Sequence, residues 1–193
     1  MHIVSVNTAR ATPRLIHDRE VLTGIGKQPR RGPVPVGRMG LDGDEQADLS
    51  VHGGPSKAVY AYPLAHYPFW RTVRAQARLD AWDAPLLPPG AMGENLTLDG
   101  LTEREMWIGD RLVFEHGTVL AVSEPRFPCF KFNAVMGFAK AAKLMVESGY
   151  CGAYLGVIEA GTLQAGEAFT VQPGPRDVNV VDLFRSRTAG KRF

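Results

Sequence analysis

Cys129 lies in the segment EPRFPCFKF, with Arg126 three residues before it and Lys131 two residues after it. The thiolate is the form of cysteine that attacks substrates and binds metals, and nearby cations lower the thiol pKa. Pro125 and Pro128 predict a turn that could bring both cations to the sulfur, and a thiolate is a soft metal ligand. A quiet, buried thiol needs no such neighbours. The local residues therefore leave Cys129 open between a core residue, a redox thiol and a metal ligand.

A second segment with chemical potential is VHGGPSK, which contains His52, Gly53, Gly54 and Lys57. Glycine lets the backbone approach a ligand closely because it has no Cβ atom. Successive backbone N–H groups in such a loop can form an anion-binding concavity, to which Lys57 would add charge. An ordinary glycine turn with an exposed histidine explains the same residues equally simply.

A third segment, GAMGENLTLDG, reads as a tight turn at Gly93 that leads into a strand. The side chains of Glu94 and Asn95 could hydrogen-bond a polar heterocycle. The alternative is that Asn95 caps its own turn.

The two cysteines, Cys129 and Cys151, have no closely spaced partner. This excludes a CxxC redox motif, a four-cysteine zinc site and an iron–sulfur cluster held by this chain alone. Cys151 stands between Tyr150 and Gly152 without charged neighbours, and we interpret it as structural.

Composition limits the possible partners. With 193 residues, 45% apolar and 22% charged, the chain has the length and composition of one average soluble domain. A net charge of +2 gives no electrostatic reason to expect nucleic acid or membrane partners. The sequence has no apolar run of about 18 residues and no signal peptide pattern. We expect a cytoplasmic protein in a reducing compartment.

Short β-branched or alternating runs between glycines and prolines predict many strands, as in a barrel or sandwich. The predicted strands are residues His2–Val6, Lys57–Tyr62, Asn95–Leu98, Arg111–Glu115, Val119–Ser123, Ala153–Glu159 and Ala168–Val171. One helix is predicted where Phe138, Ala142 and Met145 share a face and Gly149 ends it. A second is predicted from Pro68 to Arg78, because proline suits a first helical turn.

Three polar segments are predicted to lack regular structure. The Gly/Pro-rich stretch from Gly24 to Gly37 is expected to be a loop. The acidic run from Asp42 to Asp48 lacks EF-hand spacing and is expected to be a solvated loop. The basic tail RSRTAGKRF is expected to be frayed or solvated.

Taken together and in order, four segments resemble one family. GLDGDEQAD…VHGGPSKAVYAYP, GENLTLDGLTE, IGDRLVFEHGTVLAVSEPRFPCFKFN and SGYCGAYLGVIEAGTLQAGE look like a MOSC domain, named after the C-terminal domain of the molybdenum cofactor sulfurase. The likeness is greatest to bacterial stand-alone members that reduce N-hydroxylated compounds. It implies a mainly β, closed barrel-like MOSC domain with a few peripheral helices over residues 1–175, followed by a short tail, 176–193.

The resemblance implies a role for each candidate residue. Cys129 would ligate the molybdenum of the molybdenum cofactor, whose organic part is molybdopterin, and His52 would be a proton donor. Arg126 would pair with the cofactor phosphate or keep Cys129 ionised. The remaining implied cofactor-binding residues are Gly53, Gly54 and Lys57 around the pterin and phosphate, and Gly93, Glu94 and Asn95 at its polar edges.

The implied reaction is a two-electron reduction of a small N-hydroxylated molecule to the N–H compound and water. Because the chain has no iron–sulfur or flavin motif, it would need a separate electron-donor protein. A homodimer stays open. Phe127 makes its side of the implied site more apolar. Two alternatives use the same features: a sulfur carrier that transfers a Cys129 persulfide, and a non-catalytic carrier of the cofactor.

Overall fold

The structure is a computed structural model that describes residues 1–47, 53–77 and 87–191. Its thirteen described strands are β1 (His2–Thr8), β2 (Thr12–Ile16), β3 (Arg19–Thr23), β4 (Gln28–Pro29), β5 (Val34–Gly37), β6 (Gly40–Leu41), β7 (Val59–Pro63), β8 (Leu96–Asp99), β9 (Arg111–Phe114), β10 (Val119–Pro125), β11 (Ala153–Glu159), β12 (Gly161–Leu163) and β13 (Phe169–Gln172). Its described helices are α1 (Tyr67–Gln76), α2 (Phe130–Met136), α3 (Ala141–Ser148) and α4 (Val180–Thr188). None of these helices is both long enough and apolar enough to cross a bilayer.

An eight-stranded sheet organises the molecule in the order β13-β9-β10-β11-β7-β8-β1-β4. All of its pairs are antiparallel except β7 with β8. A three-stranded sheet, β12-β5-β6, and the hairpin β2-β3 complete the β structure. The central strands alternate or are wholly apolar, and their buried side chains form one continuous core with residues of the four helices. The predicted mainly β class with a few helices is therefore confirmed.

The predicted closed barrel is wrong for the described residues, because the sheets are open. A single antiparallel bridge between His2 and Ala168 connects the β1 and β13 ends of the large sheet. Around this bridge the backbone N–H groups of Ile3, Gly166 and Phe169 donate to the carbonyls of Glu167, Ile3 and Met1, and Gly166 turns the chain with a positive φ of 86° before β13 begins. One bridge without flanking ladder pairs does not close a barrel.

All seven predicted strands are confirmed within about two residues at each end. Six others were not predicted, and β5 falls inside the stretch expected to be a loop. Val34 and Val36 of β5 point into the core, whereas the alternate residues Pro35 and Gly37 are exposed. The proline and glycine of β5, the middle strand of the β12-β5-β6 sheet, hide an ordinary period-two pattern.

Both predicted helices are present, but Phe138, which was placed on the face of the first, lies before α3 begins at Ala141. Helix α3 ends at Gly149, which has the left-handed φ of 76° that glycine adopts without strain. Helix α1 has Pro68 in its first turn and buries Trp70 completely. Arg78, the last residue of that prediction, lies outside the described residues.

The expectation of a frayed or solvated C-terminal tail is only partly right, because the first residues of RSRTAGKRF are exposed but belong to helix α4, which ends at Thr188, and residues 192–193 lie outside the described residues. Helix α4 begins at the N-cap Asn179, whose side-chain oxygen accepts the backbone N–H of Val181. Val180 and Phe184 are fully buried, and burying a side chain of the size of phenylalanine contributes roughly 1.5–3 kcal/mol. Phe184 stacks on Phe127 with ring centroids 5.5 Å apart. Val180, Val181 and Phe184 lie at helical spacing, and their burial fixes α4 against the core despite the basic residues near its end.

Candidate functional site

A cleft with about 660 Å³ of non-atom space, part of it open to solvent, contains Cys129. Its walls combine the loops before β4 and after β6 with residues of β7, β11 and the segment that follows β10. The lining residues are Thr23, Gly24, Ile25, Lys27, Asp44, Glu45, Gln46, Ala47, Lys57, Ala58, Tyr60, Gly93, Asn95, Arg126, Cys129, Lys131 and Tyr154. The described lining thus includes four cationic side chains and two acidic ones.

Cys129 stands at the start of α2 in an extended conformation. Its carbonyl accepts the backbone N–H of Phe132 at 2.9 Å, which is a hydrogen bond of the first helical turn. Pro128 forces the preceding residue out of the helical region, so α2 cannot extend further back. The thiol is consequently held at a helix start, partly exposed and inside the cleft.

Arg126 is buried beside Cys129, with only 5% of its surface exposed. Its guanidinium lies over two aromatic rings, 4.9 Å from the Phe132 centroid and 5.4 Å from that of Tyr60. Among the described residues no carboxylate lies within ion-pair distance of it. Buried arginine is normally paired with an anion. This guanidinium therefore has the environment of a site for an anionic ligand.

The charge of Arg126 persists in this environment. Burial lowers the pKa of its guanidinium, but the electrostatic effects of Tyr60, Tyr154 and Cys129 together raise it above its ordinary value. Tyr60 and Tyr154 are direct cross-strand partners on β7 and β11, so both rings stand on one face of the sheet, 5.4 Å apart. The sheet thus provides a fixed aromatic floor under a permanent cation.

Lys57 approaches the same floor from the turn before β7. Its ammonium lies 5.8 Å from the centroid of the Tyr154 ring and 3.9 Å from Oε1 of Glu124. Lys57, Arg126 and Cys129, which lie far apart along the chain, therefore share one wall of the cleft.

Asp44 forms an ion pair with Lys27 in the cleft, and its side chain is only 6% exposed. Its Oδ1 lies 2.5 Å from Nζ of Lys27 and accepts the backbone N–H of Ala9 at 2.8 Å. Its Oδ2 accepts from Nζ of Lys27 at 2.7 Å and from Nδ2 of Asn95 at 2.9 Å. The expectation of a solvated acidic loop is therefore wrong for Asp44. Asp48, the last residue of that run, lies outside the described residues.

The turn Gly93-Glu94-Asn95 divides its residues between the cleft and the core. Gly93, with φ of 83°, lines the cleft, and a Cβ atom there would come within 2.9 Å of Ile25. Asn95 also lines the cleft, and its Oδ1 accepts the backbone N–H of Tyr60 at 2.9 Å. Asn95 therefore fixes strands to each other rather than only capping its own turn.

Glu94 does not line the cleft, because its side chain is fully buried. Its carboxylate accepts the backbone N–H groups of Gly90 and Met92 and the hydroxyls of Tyr67 and Thr97. Burial raises the pKa of this carboxyl, an effect that these hydrogen bonds oppose. In this arrangement Glu94 organises the turn that presents Gly93 and Asn95.

The glycine pair after His52 also lies outside the cleft lining. The backbone N–H of Gly54 donates to Oε1 of Gln46 at 2.8 Å, and Gln46 is a lining residue. Gly54 thus contacts a residue of the cleft wall. His52, the predicted proton donor, lies outside the described residues.

The described residues contain no cluster of three or more His, Cys, Asp or Glu side chains that could hold a metal ion. The described residues therefore supply at most two such ligands to a metal bound at Cys129. That condition suits a metal carried by an organic cofactor, with the protein supplying one thiolate.

The sequence did not identify several of the residues that line the cleft. Lys27 sits in a basic stretch expected to be a loop, and Tyr60 and Tyr154 were interpreted as ordinary strand residues. Period-two alternation placed the tyrosines on one face of each strand, but only the strand register shows that these faces coincide. No signal in the sequence connects Lys27 with Asp44.

Three comparisons relate the chain to known proteins. A family model described as "MOSC domain" matches residues 48–170. The chain is 37% identical over 164 residues to the uncharacterized protein YflK of Bacillus subtilis, covering 85% of this chain and 70% of YflK. It is 38% identical over 159 residues to the protein YiiM of Escherichia coli, covering 82% of this chain and 67% of YiiM.

A fungal relative carries a functional name. The protein called "Reductase" from Gibberella moniliformis is 34% identical over 172 residues, which are 87% of this chain but only 29% of that protein. Among solved structures, YiiM from Geobacillus stearothermophilus matches with a TM-score of 0.75 and 28% identity, covering 97% of this chain and 84% of that one. YiiM from Escherichia coli matches with a TM-score of 0.67 and 28% identity, covering 95% and 76%.

Proposed function

The chain belongs to the MOSC domain family, and from this premise we propose that its cleft binds the molybdenum cofactor through Cys129 and that it reduces N-hydroxylated compounds. One observation carries the proposal. A partly exposed thiol and a buried guanidinium without a carboxylate partner in the described residues line the same cleft. Such a pair matches a ligand that combines a soft metal with a phosphate.

The other walls fit a flat, polar, phosphate-bearing group. A planar guanidinium can bind phosphate with two parallel hydrogen bonds. Lys57 and Lys131 add positive charge to the cleft. Gly93 borders the cleft with a positive φ of 83°, and the absence of a Cβ atom lets the side chain of Ile25, another lining residue, pack against this turn.

Each residue has a distinct part in this proposal. Cys129 holds the metal through its sulfur, and Arg126 and Lys57 hold the phosphate. Gly93 and Asn95 border the ring system, and Glu94, Gly53 and Gly54 support these contacts from outside the cleft. When bound, the cofactor supplies two-electron redox chemistry at its metal.

The net reaction converts N–OH to N–H and water and consumes two electrons and two protons. The described residues contain no second redox group, so the electrons come from a separate reduced donor protein. Of the relatives, the one named "Reductase" supports this class of reaction, although this chain spans only 29% of it.

The test is molybdenum and pterin content after expression in a host that makes the cofactor. We expect near-stoichiometric molybdenum in the wild type and its loss in Cys129→Ser, because a hydroxyl is a much poorer ligand for a soft metal. Cys151→Ser is the matched control, since it makes the same chemical change outside the cleft and should keep its metal. Loaded wild type should then reduce an N-hydroxylated base with an artificial electron donor.

Three results would contradict the proposal. A folded wild type that takes up no molybdenum and no pterin, even on reconstitution, would exclude the cofactor. A persulfide on Cys129 without bound metal would favour sulfur transfer instead. Bound cofactor without turnover of any N-hydroxylated compound would favour a carrier.

A further inference from the structure

Lys27 is an unusual residue for the wall of a ligand cleft. Its side chain is only 8% exposed, yet it lines the same cleft as Cys129 and Arg126. Lysine is almost never buried unless it is paired, because removing its charge from water is costly. The preceding β3–β4 connection carries it inward, and its backbone N–H donates to the carbonyl of Ile25 at 2.9 Å.

Asp44 fixes the position of the Lys27 ammonium. Both carboxylate oxygens of Asp44 bind Nζ, and the same carboxylate is itself held by the Ala9 backbone and the Asn95 side chain. An ammonium has three N–H donors. Among the described residues, only Asp44 accepts hydrogen bonds from Nζ of Lys27, so a donor is left for another acceptor.

The environment also favours release of a proton from Lys27. Burial lowers the pKa of its ammonium, and this effect exceeds the opposing influence of the Asp44 charge and hydrogen bond and of the Glu94 charge. Buried lysines serve as acids and bases in enzymes for this reason.

Other cleft groups are shifted in the opposite sense. The pKa values of Tyr60 and Tyr154 are raised by burial, and the pKa of Arg126 is raised as well. These groups hold their protons more tightly than usual. Of the described cleft residues with a shifted pKa, Lys27 is the one that shifts toward release.

We propose that Lys27 donates the proton that turns the departing oxygen of an N-hydroxylated substrate into water, and that Asp44 positions it. The inference rests on the function proposed above. The N–O bond breaks, two electrons from the reduced donor protein enter the substrate, and the oxygen takes a proton from Nζ of Lys27. A second proton, from solvent, goes to the substrate nitrogen and completes the N–H group. The side chain of Lys27, now a neutral amine, regains a proton from water in the cleft.

The decisive test is chemical rescue. In cofactor-loaded Lys27→Ala we expect turnover to fall by about 10²–10⁴-fold, the usual contribution of a general acid. Added methylammonium should fit the space left by the side chain and restore a concentration-dependent part of the rate. Lys27→Arg keeps the charge beside Asp44 but holds its proton too tightly to donate it, so it should stay slow.

Lys143→Ala is the matched control. Lys143 also has a carboxylate partner, with Nζ 3.6 Å from Oε1 of Glu147, but it is exposed on α3 and outside the cleft. Its variant should turn over like wild type and should not respond to the amine. Molybdenum content and thermal unfolding of every variant separate loss of a proton donor from loss of cofactor or fold.

A readout without turnover uses the cofactor-free protein. After reductive ¹³C-methylation, the NMR signal of Lys27 should titrate below the ordinary lysine pKa of 10.5. If Lys27→Ala fails to fold, Lys27→Met/Asp44→Asn removes the charged pair together and should show the same loss of turnover.

The outcomes separate the two proposals. Loaded wild type that reduces no N-hydroxylated compound would overturn the proposed function and the role of Lys27 with it. An active wild type whose loaded Lys27→Ala variant is equally fast, or slow but unresponsive to amine, would overturn the role of Lys27 alone. Full activity in Lys27→Arg would show that the reaction needs only the positive charge of Lys27 and not its proton.

Discussion

Cys129 and Cys151 carry the same thiol in opposite surroundings. Cys151 is fully buried, and burial raises its pKa well above the ordinary value, with the Glu103 charge acting in the same direction. Its carbonyl accepts the hydroxyl of Tyr60 at 2.8 Å. Cys129 is partly exposed at the start of a helix and shares a cleft with Arg126. Placement in the fold, more than residue type, therefore decides which cysteine can do chemistry.

Tyr60 touches both environments. Its ring lies under the Arg126 guanidinium on the cleft side, while its hydroxyl reaches the loop of Cys151. The reactive region and the structural region are therefore joined through one side chain of β7. Variants of Tyr60 and of the two cysteines can therefore test how far the surroundings of Cys129 and Cys151 differ.

The largest expected difference is in thiol reactivity. In the cofactor-free folded protein, Cys129 should react with iodoacetamide about a thousandfold faster than Cys151, or more. Cys151 can react only after an opening of the structure, which in a core costs at least several kcal/mol. Mass spectrometry of peptides at timed intervals measures both rates in one sample. Comparable rates for the two thiols would break the comparison at its base.

Serine substitution should reverse the order of the effects. Cys151→Ser should lower the free energy of unfolding by about 1–3 kcal/mol, because it buries a more polar group. Cys129→Ser should change it by less than about 1 kcal/mol, because the side chain is partly solvated. Urea unfolding of both cofactor-free variants gives the values. A larger loss in Cys129→Ser would mean that the cleft thiol is itself a packing residue.

The smallest effect concerns Tyr60→Phe. This variant keeps the ring under Arg126 and loses the hydrogen bond to Cys151, so we expect a loss of about 1 kcal/mol at pH 7. Burial raises the pKa of Tyr60 above its unfolded value of 10.0. Its stabilising contribution is therefore fully present below pH 10 and is lost as pH rises further, because only the unfolded chain then releases the proton.

The same variant should consequently be less sensitive to alkali. Above pH 10, wild-type stability should fall more steeply with pH than that of Tyr60→Phe, by about 1.4 kcal/mol per pH unit. Urea unfolding from pH 9 to 11 measures both slopes, and Tyr150→Phe is a control on a less buried tyrosine. Identical slopes for wild type and Tyr60→Phe would show that Tyr60 ionises as easily in the fold as outside it.

Local pattern was enough to predict much of the fold. The strands from β7 to β11 are short apolar or alternating runs between turn residues, and α3 follows helical spacing with a glycine at its end. Helix α4 was missed because its last residues, RSRT, were interpreted as part of a basic tail, although Val180, Val181 and Phe184 share the buried face. The open edge of the sheet depends on where pairing stops, which no local pattern encodes.

The sequence indicated only some residues of the candidate site. Cys129 and Arg126 are close in the chain, so their spacing was informative. Lys27 and Asp44 meet because two loops converge, and that contact has no sequence period. Glu94 looked like a ligand residue because it stands in a polar turn, but its backbone direction turns it toward four internal donors.

The stacking of Phe127 on Phe184 gives the end of the chain influence over a thiol far from it in sequence. The peptide that carries Cys129 is braced on one side by α4, so anything that detaches this helix also releases the loop that aims the sulfur. A protease cut before Val180, or a bulky fusion that pulls the helix away, would act as a remote inhibitor without touching the cleft. For the same reason, residues of α4 and of the Cys129 loop are expected to change together as such sequences diverge.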